Sequence, residues 1–434
     1  MRPSLRLSKR ELPIFAISDA RYLLRLSGTS PGGAASRWGG DRPGPALRKV
    51  QGTLTLQVIG AVFLLPRHPA LLPTFCAMAL LIALLGGCTA APAYTGKKSD
   101  NFDGTRFVNS DPMKKTAGDF VKLAWGAVTQ STAWPEWVPG DQQSVPLERN
   151  FQGISITYIN HATFLIQVDG VNILTDPVFS ERASPFQWIG PKRVHAPGVP
   201  LQDLPPIDVV LISHNHYDHL DEATLLQLAG QQERPPMLLA GLGNGKLFDE
   251  LGLMSHQDLG WQDSVTVHGV EIVFTECRHR SGRGIGDQMK TLWGSFVLKS
   301  SAGNIYFAGD TGYGPHLKEA GDEYGPFALA LLPIGAYEPR WFMADVHLNP
   351  EEAVKAHQDL RSEHSVAMHF GTFRLTYEGI NQPVHDLSVA LQAHEISSNR
   401  FEVLRPGETA SLATTLNTAK ATPGARSSLR QWVE

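Results

Sequence analysis

The apolar run Val209–Ile212 leads directly into Ser213-His214-Asn215-His216-Tyr217-Asp218-His219-Leu220-Asp221, and few folds can use such a sequence. The run reads as a buried strand. It delivers His214 and His216 at i and i+2, hence on one side of an extended segment, while Asp218 and His219 fall in the turn before a helix expected from Asp221. Two pairs of candidate ligands therefore point at two adjacent places. Imidazole and carboxylate suit Zn²⁺, and also Fe or Mn, so the spacing predicts a dinuclear centre more firmly than it predicts the element.

Three further apolar strands end on residues of the same chemical kind. Val270–Thr275 runs into Glu276-Cys277-Arg278-His279, Ile305–Ala308 into Gly309-Asp310-Thr311-Gly312, and Val366–Met368 into His369-Phe370-Gly371-Thr372. Strand ends on one edge of a sheet are where α/β folds collect functional groups. Any one of His279, Asp310 and His369 alone reads as readily as a structural cap; the three in order after His-x-His-x-Asp-His read as a site. The chain's only cysteines are Cys76, Cys88 and Cys277, which excludes a disulfide scaffold and a cysteine-built zinc finger. His and Asp must hold any metal. Cys277, with no base partner in view, reads as packed core rather than as a nucleophile.

At 434 residues, 42% apolar and 18% charged, the chain is globular and long enough for two or three domains. From residue 154 strand patterns alternate with helical ones. Ile154–Ile159, Thr163–Val168 and Val171–Leu174 are expected strands, with Asp169-Gly170 as a hairpin turn; further strands are expected at Met237–Ala240, Phe296–Leu298 and Leu329–Pro333. Helices are expected near Lys246–Leu251, over Pro350–Arg361 behind an Asn349 cap, and about Val384–His394. The pattern fits one large layered α/β domain over 151–412, preceded by a linker and wrapping segment at 89–150 and followed by a flexible tail at 413–434.

Charge is divided unevenly. Residues 1–66 carry ten Lys/Arg against three Asp/Glu, a net of +7, so the −4 of the whole chain leaves −11 for the rest. An acidic body is poorly suited to a phosphate polymer, and no nucleic-acid partner is expected. Residues 1–66 read as a disordered basic extension or as the product of a start placed too far upstream. Over 67–88, Arg67 and His68 precede the apolar Leu71–Leu85, too short to span a bilayer but suited to an export signal. It ends in Leu85-Gly86-Gly87-Cys88, which resembles a bacterial lipobox. That resemblance implies cleavage before Cys88, lipidation of its thiol, and an outer-membrane lipoprotein in the cell envelope facing the periplasm.

The metal motif with His279, Asp310 and His369 resembles the metallo-β-lactamase superfamily, which implies a four-layer αβ/βα sandwich. A narrower resemblance covers roughly Tyr158–Leu404. It rests on Asn160-His161-Ala162-Thr163, Leu174-Thr175-Asp176-Pro177, Gly190-Pro191-Lys192-Arg193, Phe307–Tyr313 and the ten-residue Ile334–Met343 run. These are similar to N-acyl-phosphatidylethanolamine-hydrolysing phospholipase D and its bacterial outer-membrane-associated relatives. Carried over, the resemblance gives His214, His216 and His279 to one zinc ion, Asp218, His219 and His369 to a second, and Asp310 to both. It implies phosphodiester hydrolysis of a phospholipid by metal-activated hydroxide, with Asp218 and Asp310 in the catalytic machinery.

Asp176 is expected to orient a ligand imidazole from behind. His347 matches a family histidine near the phosphate, and Tyr217 is expected to contact substrate. The lead-in Ala344-Asp345-Val346 departs from the family's more basic pattern, which leaves the headgroup contacts open. Arg340 and Trp341 read as loop-fixing residues. Two alternatives stand beside the phospholipase: attack on a lactone or β-lactam by the same hydroxide, and a non-catalytic envelope lipoprotein with a structural metal site.

Overall fold

The computed structural model describes residues 91–413, except 113–114, 131 and 146–147. The basic extension at 1–66, the signal segment with Cys88, and the tail from 414 onward lie outside the described residues. Among the described residues no helix is long and apolar enough to cross a membrane.

Two seven-stranded sheets form the body. The first contains β1 (Ile154–Asn160), β2 (Thr163–Val168), β3 (Val171–Thr175), β4 (Val209–Ile212), β5 (Met237–Gly241) and β6 (His256–Leu259) side by side, with β14 (Thr409–Leu412) added outside β1. The second runs from β7 (Ser264–Val267) through β8 (Val270–Thr275), β9 (Ser295–Lys299), β10 (Asn304–Phe307), β11 (Phe327–Pro333) and β12 (His364–Met368) to β13 (Phe401–Glu402). Each sheet is antiparallel in one half and parallel in the other: β3 to β6 run parallel in the first, β10 to β13 in the second. The β2–β3 turn places Asp169 and Gly170 at φ 50° and 75°, the left-handed pair that a two-residue hairpin requires.

Alternation along β4 shows how the layers are built. Val209 and Leu211 face the core shared with the second sheet, whereas Val210 and Ile212 face an outer core containing Leu225 and Leu228 of α2 (Glu222–Gln231) and Phe248 of α3 (Gly245–Glu250). On the far side, α4 (Pro315–Tyr324), α6 (Pro350–Asp359) and α7 (Gln382–Ala393) cover the second sheet, α6 lying against β11. Helices, sheet, sheet, helices: the architecture is the four-layer αβ/βα sandwich. The remaining helices are α1 (Ala117–Thr129), ahead of the first sheet, and the one-turn α5 (Arg340–Met343).

Several elements were not readable in the pattern. Strands β6 (His-Gln-Asp-Leu) and β7 (Ser-Val-Thr-Val) sit at sheet edges and are partly exposed, so neither shows an apolar run. Helix α4 has Pro315 at its start and only His316, Leu317, Ala320 and Gly321 buried, a weak apolar stripe. Helix α6 begins as expected: Asn349 accepts from the Glu352 N–H, and the Glu352 carboxylate accepts in return from the Asn349 N–H.

Candidate metal centre

Four strand ends meet at one end of the sandwich. β4 supplies His214, His216, Asp218 and His219; β8 leads to His279, β10 to Asp310 and β12 to His369. Backbone conformation at these ends is unusual: His369 has φ 61° and Asp176, just past β3, has φ 33°. Non-glycine residues in the left-handed region cluster at functional sites, where surrounding structure holds them. Gly309 stands at φ 57°, and a Cβ there would come within 2.5 Å of Ser213 Cβ, so only glycine lets the Asp310 turn approach the His214 strand this closely.

The sequence-predicted ligands converge. His214 Nε2 and His279 Nε2 lie 2.8 and 3.3 Å from His216 Nδ1, three ring nitrogens facing one point. Asp218 Oδ2 lies 3.5 Å from His219 Nε2 and 3.4 Å from His369 Nε2. Between the two groups stands Asp310, whose Oδ2 is 3.1 Å from His369, 3.2 Å from His219, 3.7 Å from His279 and 4.0 Å from His214. His347 Nδ1 is 3.8 Å from the same oxygen. His216, Tyr217 and Asp218 are partly exposed while the other candidate ligands are buried, which marks the side open to solvent.

The ligand rings are held from behind. His219 Nδ1 donates to Asp176 Oδ2 at 2.6 Å, and Asp176 also accepts from the Ser213 N–H and hydroxyl at 2.7 and 2.6 Å. Ser213 Oγ is 3.0 Å from His214 Nδ1. His279 Nδ1 donates to the Val346 carbonyl at 2.9 Å. Each of these bonds turns the opposite nitrogen toward the cluster.

Buried groups without partners test whether a cation fits. Among the described residues His219 Nε2, His369 Nε2 and Asp310 Oδ1 have no hydrogen-bond partner although all are buried, a costly arrangement in a protein interior. Nitrogen and oxygen donors converging within 4.8 Å of one another, as in the His161-Asp218-His219-His369 and His214-His216-His279 groups, supply the partner set a divalent cation needs. The residues fit a metal.

Proton affinities follow the same division. Burial holds His214 and His216 well below the ordinary histidine pKa and brings His279 to about 4; the neighbouring Arg280 charge contributes at His216 and His279. Burial also opposes protonation of His219, yet Asp310, Asp218 and Asp176 outweigh it and hold that imidazole well above its usual value. His369, likewise opposed by burial, is raised to about 9 by Asp310 and Asp218. In the metal-free protein, protons on His219 and His369 stand where positive charge is needed.

Sequence reasoning gave no role to His161 or Asn109. His161, in the β1–β2 turn at φ 48°, donates from Nε2 to Asp218 Oδ2 at 3.1 Å, and its carbonyl accepts the His369 N–H at 2.8 Å. Its presence in the Asn160-His161-Ala162-Thr163 run was the available signal. Asn109, in the segment before the first sheet, clasps the backbone of His279 through its carbonyl and N–H at 2.8 and 3.1 Å. A lone Asn so far from the ligands gave no signal. Tyr217 lies under Arg283, its ring centroid 3.8 Å from the guanidinium carbon. Arg340 pairs with Glu352 at 2.7 Å and donates to the His347 carbonyl. Cys277 is buried, its thiol donating to the Asp310 carbonyl at 3.3 Å.

A two-sheet sandwich with His and Asp gathered at its strand ends defines a metallo-hydrolase. Residues 171–370 match the Beta-lactamase superfamily domain. The chain belongs to the metallo-β-lactamase superfamily and is a metal-dependent hydrolase within it. An uncharacterised protein of Mycobacterium tuberculosis is 37% identical over 324 residues, 73% of this chain and 86% of its own length. N-acyl-phosphatidylethanolamine-hydrolyzing phospholipase D 1 of Caenorhabditis elegans is 35% identical, covering 59% of this chain and 75% of that one. Outer membrane protein RomA of Klebsiella pneumoniae is 39% identical over 121 residues, 28% of this chain and 86% of that one. Among solved structures, Igni18, a metallo hydrolase of Ignicoccus hospitalis, aligns with a TM-score of 0.45 at 23% identity, over 60% of this chain and 98% of that one.

Proposed function

We propose that this chain is a dinuclear zinc phosphodiesterase of the phospholipase D type, acting on N-acyl-phosphatidylethanolamine-like lipids in the bacterial cell envelope. One observation carries the reading: Asp310 Oδ2 lies within 3.1 to 4.0 Å of His214, His219, His279 and His369, between a three-histidine group and an Asp218-His219-His369 group. His214, His216 and His279 would hold one ion, Asp218, His219 and His369 the other, and Asp310 both. A bound pair of cations supplies water acidified to react near neutral pH and neutralises charge on a phosphodiester under attack.

The protein's own groups do the positioning. Asp218, held by His161, has the partly exposed carboxylate of the cluster and is placed to accept a proton from the attacking water. His347, whose Nδ1 has no hydrogen-bond partner among the described residues, is placed to donate to a phosphate or leaving-group oxygen. Tyr217 borders the open side and contacts substrate.

The phospholipid class is supported by the Caenorhabditis elegans relative, and the envelope location by the lipobox-like Leu85-Gly86-Gly87-Cys88 and by the printed name of the Klebsiella relative. We extend the same reading to the segment order: a signal over 67–88 with Cys88 lipidated, a wrapping segment to 150, and the hydrolase domain over 151–412.

The test is lipid mass spectrometry of membranes incubated with purified protein, wild type against His214→Ala, with a fluorogenic phosphodiester and a chromogenic lactam assayed in parallel. Headgroup release that disappears in His214→Ala supports the reading. Turnover of the lactam alone replaces it with the lactam-hydrolase alternative, and an inert metal-loaded protein favours a binding role.

A further inference from the structure

Among the described residues, the buried and partly buried arginines near the centre have partners, with one exception. Arg193 donates to the carbonyls of Ser180 and Val178, Arg278 to Tyr313 and to the carboxylates of Asp111 and Asp345, and Arg283 to Asn215, Leu220 and Glu222. Arg280 has no partner of this kind among the described residues. Among the described residues its guanidinium meets only the ring of Phe120 on α1, 5.9 Å from the ring centroid.

Its place in the chain makes that omission informative. Arg280 directly follows His279, whose Nε2 lies 3.3 Å from His216 Nδ1 and 3.7 Å from Asp310 Oδ2. His216 is partly exposed, and so is Arg280. Phe120 packs on Phe342 with ring centroids 5.1 Å apart, so the side chain that follows a candidate ligand in the chain carries its cation against an aromatic pair. A guanidinium taken partly out of water without an acceptor is unfavourable, and its planar donors match two oxygens of a phosphate or carboxylate. An oxyanion arriving at the site would satisfy it.

We propose that Arg280 is a specificity-determining residue of this site, its guanidinium binding an oxygen of the anionic phosphodiester. The proposal rests on the phosphodiester reading above and deepens it: the preferred substrate carries a negative charge beside an apolar substituent, the charge on Arg280 and the substituent along the exposed ring of Phe120.

The zinc-loaded full chain is compared with Arg280→Gln and Arg280→Lys on bis(p-nitrophenyl) phosphate and on a carboxylate-bearing chromogenic lactam, and inorganic phosphate binding is measured by calorimetry. Arg280→Gln is expected to raise KM for the phosphodiester at least tenfold with a smaller change in kcat, to weaken phosphate binding similarly, and to keep its zinc and melting temperature. Arg280→Lys is expected to recover part of the loss. Unchanged KM and phosphate affinity in Arg280→Gln overturn the proposal, as does loss of zinc or stability in both variants, which would make the residue structural. An Arg280-dependent KM for the lactam alone reassigns the guanidinium to a carboxylate and also overturns it. If wild type turns over no phosphodiester while phosphate binding still depends on Arg280, the anion contact stands and the phosphodiesterase reading falls. Phosphodiester turnover indifferent to Arg280 gives the reverse.

Discussion

Asp176 Oδ2 accepts from His219 Nδ1 at 2.6 Å, both side chains wholly buried behind the metal cluster. The same carboxylate takes the Ser213 hydroxyl, which in turn meets His214 Nδ1, so one Asp sets two ligand rings, one in each group. In Asp176→Asn an amide that can turn its N–H toward His219 replaces a pure acceptor. Metal affinity is expected to fall about 10–100-fold, measured by competition with a chromogenic chelator. Unaltered affinity would show that the rings need no such support.

Arg283 ties both ends of the ligand turn. It donates to the carbonyls of Asn215 at 3.0 Å and Leu220 at 2.8 Å while stacking on Tyr217 between them. Arg283→Met leaves those carbonyls without their donor, at a cost of about 2–4 kcal/mol. The urea midpoint should drop accordingly, and zinc content with it; a midpoint equal to wild type counts against the clamp.

Metal loading should release protons. His219 and His369 bind protons in the metal-free protein, His369 with a pKa of about 9, and ligation requires their neutral nitrogens. Between pH 7 and 9 affinity for Zn²⁺ therefore rises with pH. Calorimetry in buffers of different ionisation enthalpy should report a release of roughly one to two protons per chain. Zero release would mean that the two imidazoles are already neutral.

Acid should destabilise the fold through histidines outside the centre. Burial lowers His195 and His357 to a pKa of about 4, against roughly 6.5 in an unfolded chain. Their folded values lie below the unfolded ones, so between those limits the unfolded state binds more protons. The stability they contribute is intact above about pH 6.5 and is lost progressively toward pH 4, on the order of 1–3 kcal/mol for each. His357→Gln should flatten the dependence of the urea midpoint over pH 7 to 4.5; a profile as steep as wild type would refute the assignment.

Much of this was legible in the chain. His214, His216, Asp218 and His219 follow a short apolar strand at fixed local spacing, and His279, Asp310 and His369 each end another, so strand identity and residue type sufficed to nominate them. The hairpin at Asp169-Gly170 and the Asn349 cap were legible for the same reason: local backbone chemistry decides them. Edge strands β6 and β7 were not, because a half-exposed edge needs no apolar pattern.

Sequence alone nominated the candidate ligands and the interior strands of both sheets, because period-two burial and ligand type are written residue by residue. Only the tertiary structure decided that His161 would donate to Asp218, that Asn109 would clasp His279 across 170 positions, and that the Arg280 guanidinium would meet the Phe120 ring. Those facts depend on which strand ends the two sheets bring together. Such proximity arises from packing between distant segments, and no local spacing encodes it.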